Sequence, residues 1–236
     1  MSTARSETSG QQSAAAPSPF PPIADYAFLS NCHTGALVAL DGAVDWLCVP
    51  SFDSPSVFGT LLDRGAGYFR LGPFGINHPT ARVYEPGTNV LETTWKTPRG
   101  WVVVRDALTM GPRQDEDQVT PHTRPPADVD CDHLLVRTVR CLEGNIEIEL
   151  VCEPVFDYGR VPAEWSLVDA NRRTADASGA GQTIRLQTDM ALGIEGNRVR
   201  ARHILAPGEQ IFCSLSWAAD LASVVDIEDA TRRLDA

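Results

Sequence analysis

The sequence is constrained most by its short apolar runs, which Gly, Pro and Asp interrupt at close intervals. Runs of this kind predict β-strands joined by tight turns. One pair of runs, residues 35–40 and 43–49, is separated by Asp41 and Gly42. Both of these residues tolerate a positive φ, so an Asp-Gly pair between two apolar runs is a strong hairpin signal. The pair therefore predicts a β-hairpin.

Two more hairpins are predicted further along the chain. The clearer one leads from residues 134–142 through Gly144 into residues 146–150. In its second strand Ile, Ile and Leu alternate with two Glu, which is the period-two pattern of a half-buried strand. The other hairpin is predicted within residues 90–107, and further strands are predicted at residues 183–188, 198–205 and 210–217.

Helical pattern is scarce by comparison. A short helical turn is predicted near residues 56–62, and Ile227, Ala230 and Leu234 fall at helical spacing near the last residue. Residues 111–130 and 171–182 lack periodicity and are predicted to be loops. The predicted fold class is all-β, a large antiparallel β-sandwich followed by the start of a helix.

Three parts of the chain differ in composition. Residues 1–22 contain almost nothing to bury and predict a disordered tail, with order beginning near Ile23. Residues 23–222 are assigned to the β-sandwich, and residues 223–236 to the start of the helix.

Charge and cysteine usage exclude several classes of partner. The net charge of −11 argues against nucleic acid and anionic membranes, because both would repel the chain. No apolar stretch reaches the roughly 18 residues of a membrane span, and residues 1–22 have no signal-peptide core. A cytoplasmic location is therefore expected.

The six cysteines form no C-x-x-C pair and are expected to be reduced thiols without metal.

The best candidate for a binding site is the segment that contains Asp45, Trp46, Phe52 and Asp53. An aromatic face can cover the C–H side of a pyranose, and carboxylates accept hydrogen bonds from its hydroxyls. The alternative is purely structural: a strand enters a Pro-bounded turn, and Asp53 caps a short helix. By spacing alone, the structural interpretation is the stronger one.

A second candidate is the pair Asp157 and Arg160, which follows a strand that ends at Pro154. It predicts either a loop at the end of the sheet that faces a ligand or another domain, or an ion pair within a tight turn. An exposed pair of that kind contributes little to stability.

No self-contained catalytic group of residues is present in the sequence. A glycosidase needs two carboxylates on opposite sides of the scissile bond, and no pair is placed in that way by its spacing. The five His lack metal-ligand spacing, and neither a G-x-S-x-G elbow nor a phosphate-binding loop occurs. No catalytic residue, metal site or cofactor is predicted for this chain.

Several motifs in order resemble the start of bacterial trehalases and glucoamylase-like enzymes of glycoside hydrolase family fifteen. These motifs are found at residues 22–31, 35–38, 41–50, 52–58, 84–95 and 156–160. As a set they are specific and cover nearly the whole chain after the tail, and residues 151–156 look most like the actinobacterial trehalase branch.

The resemblance implies a β-supersandwich that packs against an (α/α)₆ barrel. Both catalytic glutamates of the family, a general acid and a general base acting with inversion, lie in that barrel, so none is carried over to this chain. Residues 223–236 correspond to the start of the family's linker helix. Asp45, Trp46, Phe52 and Asp53 match the family's N-domain motif, which implies a position at the domain interface near the sugar pocket.

Three functions stay open on this basis. The chain could be the non-catalytic N-terminal domain of a trehalase, a stand-alone sugar-binding module, or an interface domain that holds the barrel and sets a homo-oligomeric state. The sequence does not decide between trehalose and another α-glucoside such as a maltooligosaccharide, because barrel loops select the substrate.

Overall fold

The computed structural model describes residues 20–110, 131–217 and 224–235, and β-strands dominate all but the last of these ranges. The strands form two antiparallel sheets of eight strands each. One large core cluster draws its buried side chains from both sheets, so the sheets pack face to face. The predicted all-β sandwich is confirmed. The tail prediction, apart from residues 20–22, and the loop prediction at residues 111–130 lie outside the described residues.

We call the first sheet, which contains the start of the described chain, sheet A. Its order is β1-β2-β3-β5-β10-β16-β15, with β4 paired to β3. Its strands are β1 (Ala27–Ser30), β2 (Gly35–Val38), β3 (Ala43–Cys48), β4 (Ser56–Phe58), β5 (Tyr68–Pro73), β10 (Ile146–Glu153), β15 (Gly193–Glu195) and β16 (Arg198–Leu205).

Sheet B has the order β12-β13-β14-β17-β9-β8-β7-β6. Its strands are β6 (Ala81–Tyr84), β7 (Leu91–Thr97), β8 (Gly100–Met110), β9 (Cys131–Gly144), β12 (Glu164–Leu167), β13 (Thr174–Gly179), β14 (Gln182–Thr188) and β17 (Gln210–Ser216). A two-residue strand, β11 (Val161–Pro162), follows a single turn at Phe156–Gly159.

The predicted Asp-Gly hairpin is confirmed, since β2 pairs with β3 in antiparallel register. Gly42 adopts a φ of 81°, and the Asp41 carboxylate accepts a hydrogen bond from the amide of Ala43 at 3.0 Å. The hairpin within residues 90–107 is confirmed as well, because β7 pairs with β8.

The third predicted hairpin is wrong, although both of its strands exist. β9 pairs with β8 and β17 in sheet B, whereas β10 pairs with β5 and β16 in sheet A. Gly144 has a φ of 80° and approaches the backbone of Arg99 more closely than any side chain would permit. The chain therefore crosses between the sheets here. The alternation of side chains defined the strands but not their partners.

Two other local predictions are corrected by the structure. Residues 56–62 do not begin a helix: β4 pairs with β3, and Val57 and Phe58 are fully buried. Residues 171–182 are not a loop, because β13 lies within them and pairs with β14. The small residues of β13 have the composition of a loop, yet Ala175 and Ala177 are fully buried in the core.

The helix predicted from the last residues is confirmed as Ile227–Asp235. It covers the outer face of sheet B, where Ala230 and Leu234 join a second cluster with Val136 and Phe212. Among the described residues, no helix has both the length and the apolar character needed to cross a membrane.

Candidate functional site

One end of the sandwich brings together loops that are far apart in sequence. We call this surface the loop rim and define it as residues 31–34, 49–55, 156–160 and 180–182. The Phe52 amide donates a hydrogen bond to the His33 carbonyl at 3.0 Å. The Gln182 side chain donates to the Val49 carbonyl at 3.4 Å. These bonds join residues 31–34 and 180–182 to the segment that contains Phe52 and Asp53.

Residues 156–160 join the loop rim through close packing. Three consecutive residues, Asp157, Tyr158 and Gly159, have φ values of 51°, 56° and 83°, so the chain makes a left-handed turn there. A Cβ on Gly159 would lie 2.6 Å from the Cβ of Ala66, which leaves room for glycine alone. The turn also packs against β4.

Phe52 lies beside a group of apolar side chains on sheet A. A Cβ on Gly35 would lie 2.5 Å from the Phe28 ring and 3.0 Å from the Phe52 ring, so both rings pack over this glycine. Phe28 pairs across the strands with Leu37, and Leu37 pairs with Trp46. Phe28 and Phe52 are 48% and 54% exposed, and Leu37 and Trp46 are half-buried. We call these four side chains the aromatic patch.

Asp53 is exposed and does not cap a helix, because no helix follows it. Its carboxylate accepts a hydrogen bond from the Ser51 hydroxyl at 2.5 Å. This bond, together with a bond from the backbone, holds the pKa of Asp53 below its usual value. The capping prediction is thus wrong, and Asp53 is an ionised acceptor on the turn that Ser51 and Ser54 close with a 3.1 Å backbone bond.

Asp45 differs from Asp53 in being buried, with 6% of its surface exposed. A β-bulge in the pairing of β2 with β3 inserts Asp45 between Val44 and Trp46. The Tyr26 hydroxyl donates a hydrogen bond to its carboxylate at 3.0 Å. Burial raises the pKa of Asp45 to about 6, although the hydrogen bond from Tyr26 acts in the opposite direction. The pKa of Tyr26 is raised as well, by its own burial and by the neighbouring Asp45 carboxylate.

Asp157 and Arg160 form the ion pair that the structural interpretation predicted. Their closest atoms are 3.4 Å apart, and their side chains are 38% and 72% exposed. Solvent screens a pair of this kind, so it contributes little to stability. Both groups are accessible to a partner on the loop rim.

The candidate carboxylates near this surface are engaged by neighbouring side chains. Asp45 is buried beneath Tyr26, whereas Asp53 and Asp157 are bound to Ser51 and Arg160. In the described ranges 20–110, 131–217 and 224–235, no cluster of His, Cys, Asp and Glu could hold a metal ion. What the surface offers is exposed aromatic rings next to carboxylates.

Comparison with known proteins assigns the family. A model described as trehalase-like, N-terminal, matches residues 16–189. A trehalase of Mycolicibacterium smegmatis is 52% identical over 206 residues, which are 85% of this chain and 31% of that protein. The chain belongs to the trehalase-like N-terminal family.

Two further trehalases are similar to this trehalase-like N-terminal domain. A trehalase of Mycobacterium tuberculosis is 50% identical over 205 residues, which are 84% of this chain and 30% of that protein. Trehalase 1 of Sulfolobus acidocaldarius is 41% identical over 132 residues, which are 56% of this chain and 19% of that protein. The chain thus spans less than a third of the length of these relatives.

Sequence reasoning missed three side chains of this trehalase-like N-terminal domain. Tyr26 and Phe28 lie in the motif at residues 22–31 but were not among the candidate residues, although they contact Asp45 and lie next to Phe52. Tyr158 is 47% exposed at the loop rim. Their aromatic character was the available signal, and for Phe28 the pairing of β1 with β2 was needed to place it beside Leu37.

Proposed function

We propose that this chain is the non-catalytic N-terminal domain of an enzyme that hydrolyses α,α-trehalose to glucose. In this proposal the loop rim and the aromatic patch form a wall against an (α/α)₆ catalytic barrel in a further part of the protein. The catalytic acid and base lie in that barrel. Trehalose is favoured over other α-glucosides because the relatives described above are named trehalases.

The observation that carries the proposal is the convergence of two separate motifs on one surface. Phe52 and Asp53 come from the loop after β3, and Asp157 and Arg160 come from the turn after β10. Exposed apolar rings at the centre of a surface with polar groups around it are typical of contact sites. The functional interpretation of the segment around Asp53 therefore outweighs the structural one, for contact and not for catalysis.

A cytoplasmic location belongs to the same proposal. Five cysteines within the described residues are free, and four of them are buried: Cys48, Cys141, Cys152 and Cys213. Burial raises the pKa of each of these four thiols, so they are unreactive and suit a reducing compartment.

The first test compares the 236-residue chain with the full-length protein. The full-length protein should release glucose from trehalose, whereas the purified chain should release none. Isothermal titration should also show no micromolar binding of trehalose to the chain, because one wall of a pocket offers a small polar ligand little affinity. Micromolar binding of trehalose to the chain would favour the stand-alone sugar-binding module, and glucose release by the chain would refute its non-catalytic role.

The second test addresses the wall. In the full-length protein Phe52→Ala should lower kcat/KM for trehalose about tenfold or more without changing the melting temperature, since a misplaced wall affects substrate positioning. Ile204→Ala is the matched control, because Ile204 is 59% exposed at the end of β16 that lies away from the loop rim. Equal kinetics for both variants would refute a role for the loop rim.

A further inference from the structure

Residues 20–26 form a strap that reaches across sheet A. The hydroxyl of Tyr26 bonds to Asp45 on β3, although Tyr26 immediately precedes β1 and β2 lies between the two strands. Neighbouring strands are about 4.8 Å apart, so the side chain must span β2 to reach β3. The other end of the strap is held by the Arg64 guanidinium, which lies 5.0 Å from the centre of the Phe20 ring.

Little else holds the strap in place among its described contacts. Its single 3₁₀ turn, Ile23–Asp25, buries none of its own residues, and Ile23 is 67% exposed. A single turn of helix is not stable by itself in water. The contact between Tyr26 and Asp45 therefore contributes much of what fixes the strap, and its strength depends on the state of the carboxylate.

Burial is the main factor that disfavours the negative charge of Asp45, and three nearby groups modify it in different directions. The strap contributes Tyr26, the turn between β2 and β3 contributes Asp41, and the turn after β4 contributes Arg64. Among the described residues, Tyr26 donates a hydrogen bond to the carboxylate, and Arg64 acts on it through its charge while stacking on Phe20. The Tyr26 bond and the Arg64 charge favour the ionised form, but burial disfavours it more strongly and Asp41 repels it as well, so the pKa of Asp45 is raised.

We propose that the strap is a pH-controlled element that docks over β3 when Asp45 is protonated and is released when Asp45 ionises. The protonated carboxyl can be buried at low cost and keeps a hydrogen bond with Tyr26. The ionised carboxylate gains hydration if the strap leaves. Release uncovers the Asp45 carboxylate, which immediately precedes Trp46 of the aromatic patch on β3.

The direction and the size of the pH effect follow from the linkage between docking of the strap and proton binding by Asp45. The pKa of Asp45 is about 6 with the strap docked, against 3.8 for an ordinary aspartate, so the docked state binds the proton more tightly. Docking is therefore strongest below pH 4 and weakens as the pH rises from about 4 to about 6. The docking equilibrium should fall roughly 50-fold between pH 4 and pH 7.

Hydrogen exchange of the 236-residue chain tests this directly. The amides of Asp25 and Tyr26 donate to the carbonyls of Pro22 and Ile23 at 2.9 and 3.2 Å, and they are protected only while the strap is docked. After correction for the intrinsic exchange rate, their protection should fall roughly 50-fold from pH 4 to pH 7. In Asp45→Asn, which is uncharged at every pH, protection should be constant.

Two further variants complete the test. Asp53→Asn is the matched control, because it removes an exposed carboxylate and should retain the pH dependence of the wild type. Asp41→Asn removes the repelling charge but keeps Asp45, so its loss of amide protection between pH 4 and pH 7 should be smaller than that of the wild type. This variant tests the proposal if Asp45→Asn does not fold. Constant protection in the wild type, or a wild-type profile in Asp45→Asn, would overturn the proposal, as would a wild-type profile in Asp41→Asn where Asp45→Asn does not fold.

Discussion

Arg137 shows how one side chain connects the two sheets. It is fully buried on β9, and its Nε lies 2.7 Å from the Asp106 carboxylate on β8. The guanidinium also donates to the Phe69 and Gly42 carbonyls of sheet A at 2.9 and 2.7 Å. In the sequence, Asp106 and Arg137 are charged residues within two separate apolar runs. Only the register of β8 with β9 places them opposite each other.

Removal of the Arg137 guanidinium should lower the stability of the fold substantially. Arg137→Met leaves the Asp106 carboxylate buried without its partner, so the free energy of unfolding should fall by roughly 3–5 kcal/mol in urea titrations. Arg185→Met is the matched control, since Arg185 forms an ion pair with Asp176 at 2.7 Å but both side chains are partly exposed. Its cost should stay within about 1 kcal/mol. Similar losses in the two variants would contradict this account.

At the scale of elements, the sequence predicted strands better than it predicted their partners. A hairpin with a two-residue Asp-Gly turn was predicted correctly because the turn fixes its own geometry. The step from β9 to β10 was misassigned because alternating side chains define a buried face and not a neighbour. β13 was missed because its buried positions are both Ala and its other residues are Thr, Asp, Ser and Gly, which together have the composition of a loop.

The small residues of β13 have a testable role. A Cβ on Gly179 would overlap the ring of Phe156, which is the fully buried residue of the loop rim segment 156–160. Gly179→Ala should therefore lower the free energy of unfolding by about 1–3 kcal/mol, as overpacking does. Gly193→Ala on β15 is the control, because its Cβ would meet nothing closer than 3.6 Å. Chemical denaturation that shows no difference between the two variants would exclude this steric role.

At the scale of the whole molecule, the candidate site could be predicted only in part. The sequence grouped Asp45 with Phe52 because they are close along the chain, and family resemblance placed that motif at an interface. The position of residues 156–160 next to β4 depends on how both sheets close, and no local pattern encodes it. The contact between Tyr26 and Asp45 is likewise not encoded by a local pattern, since β2 separates the two residues in the sheet.

The buried thiols report on whether the two sheets open as one unit. Cys48 and Cys152 lie in sheet A, Cys141 and Cys213 lie in sheet B, and all four are buried, whereas Cys32 is exposed. In a Cys131→Ser background, a thiol reagent should label Cys32 first. The four buried thiols should then react at one common, much slower rate, because the core cluster and Arg137 join both sheets into a single cooperative structure. Mass spectrometry of labelled peptides measures each rate, and Cys32→Ser should abolish the fast phase alone. Faster labelling of Cys48 and Cys152 than of Cys141 and Cys213 would mean that sheet A opens independently of sheet B.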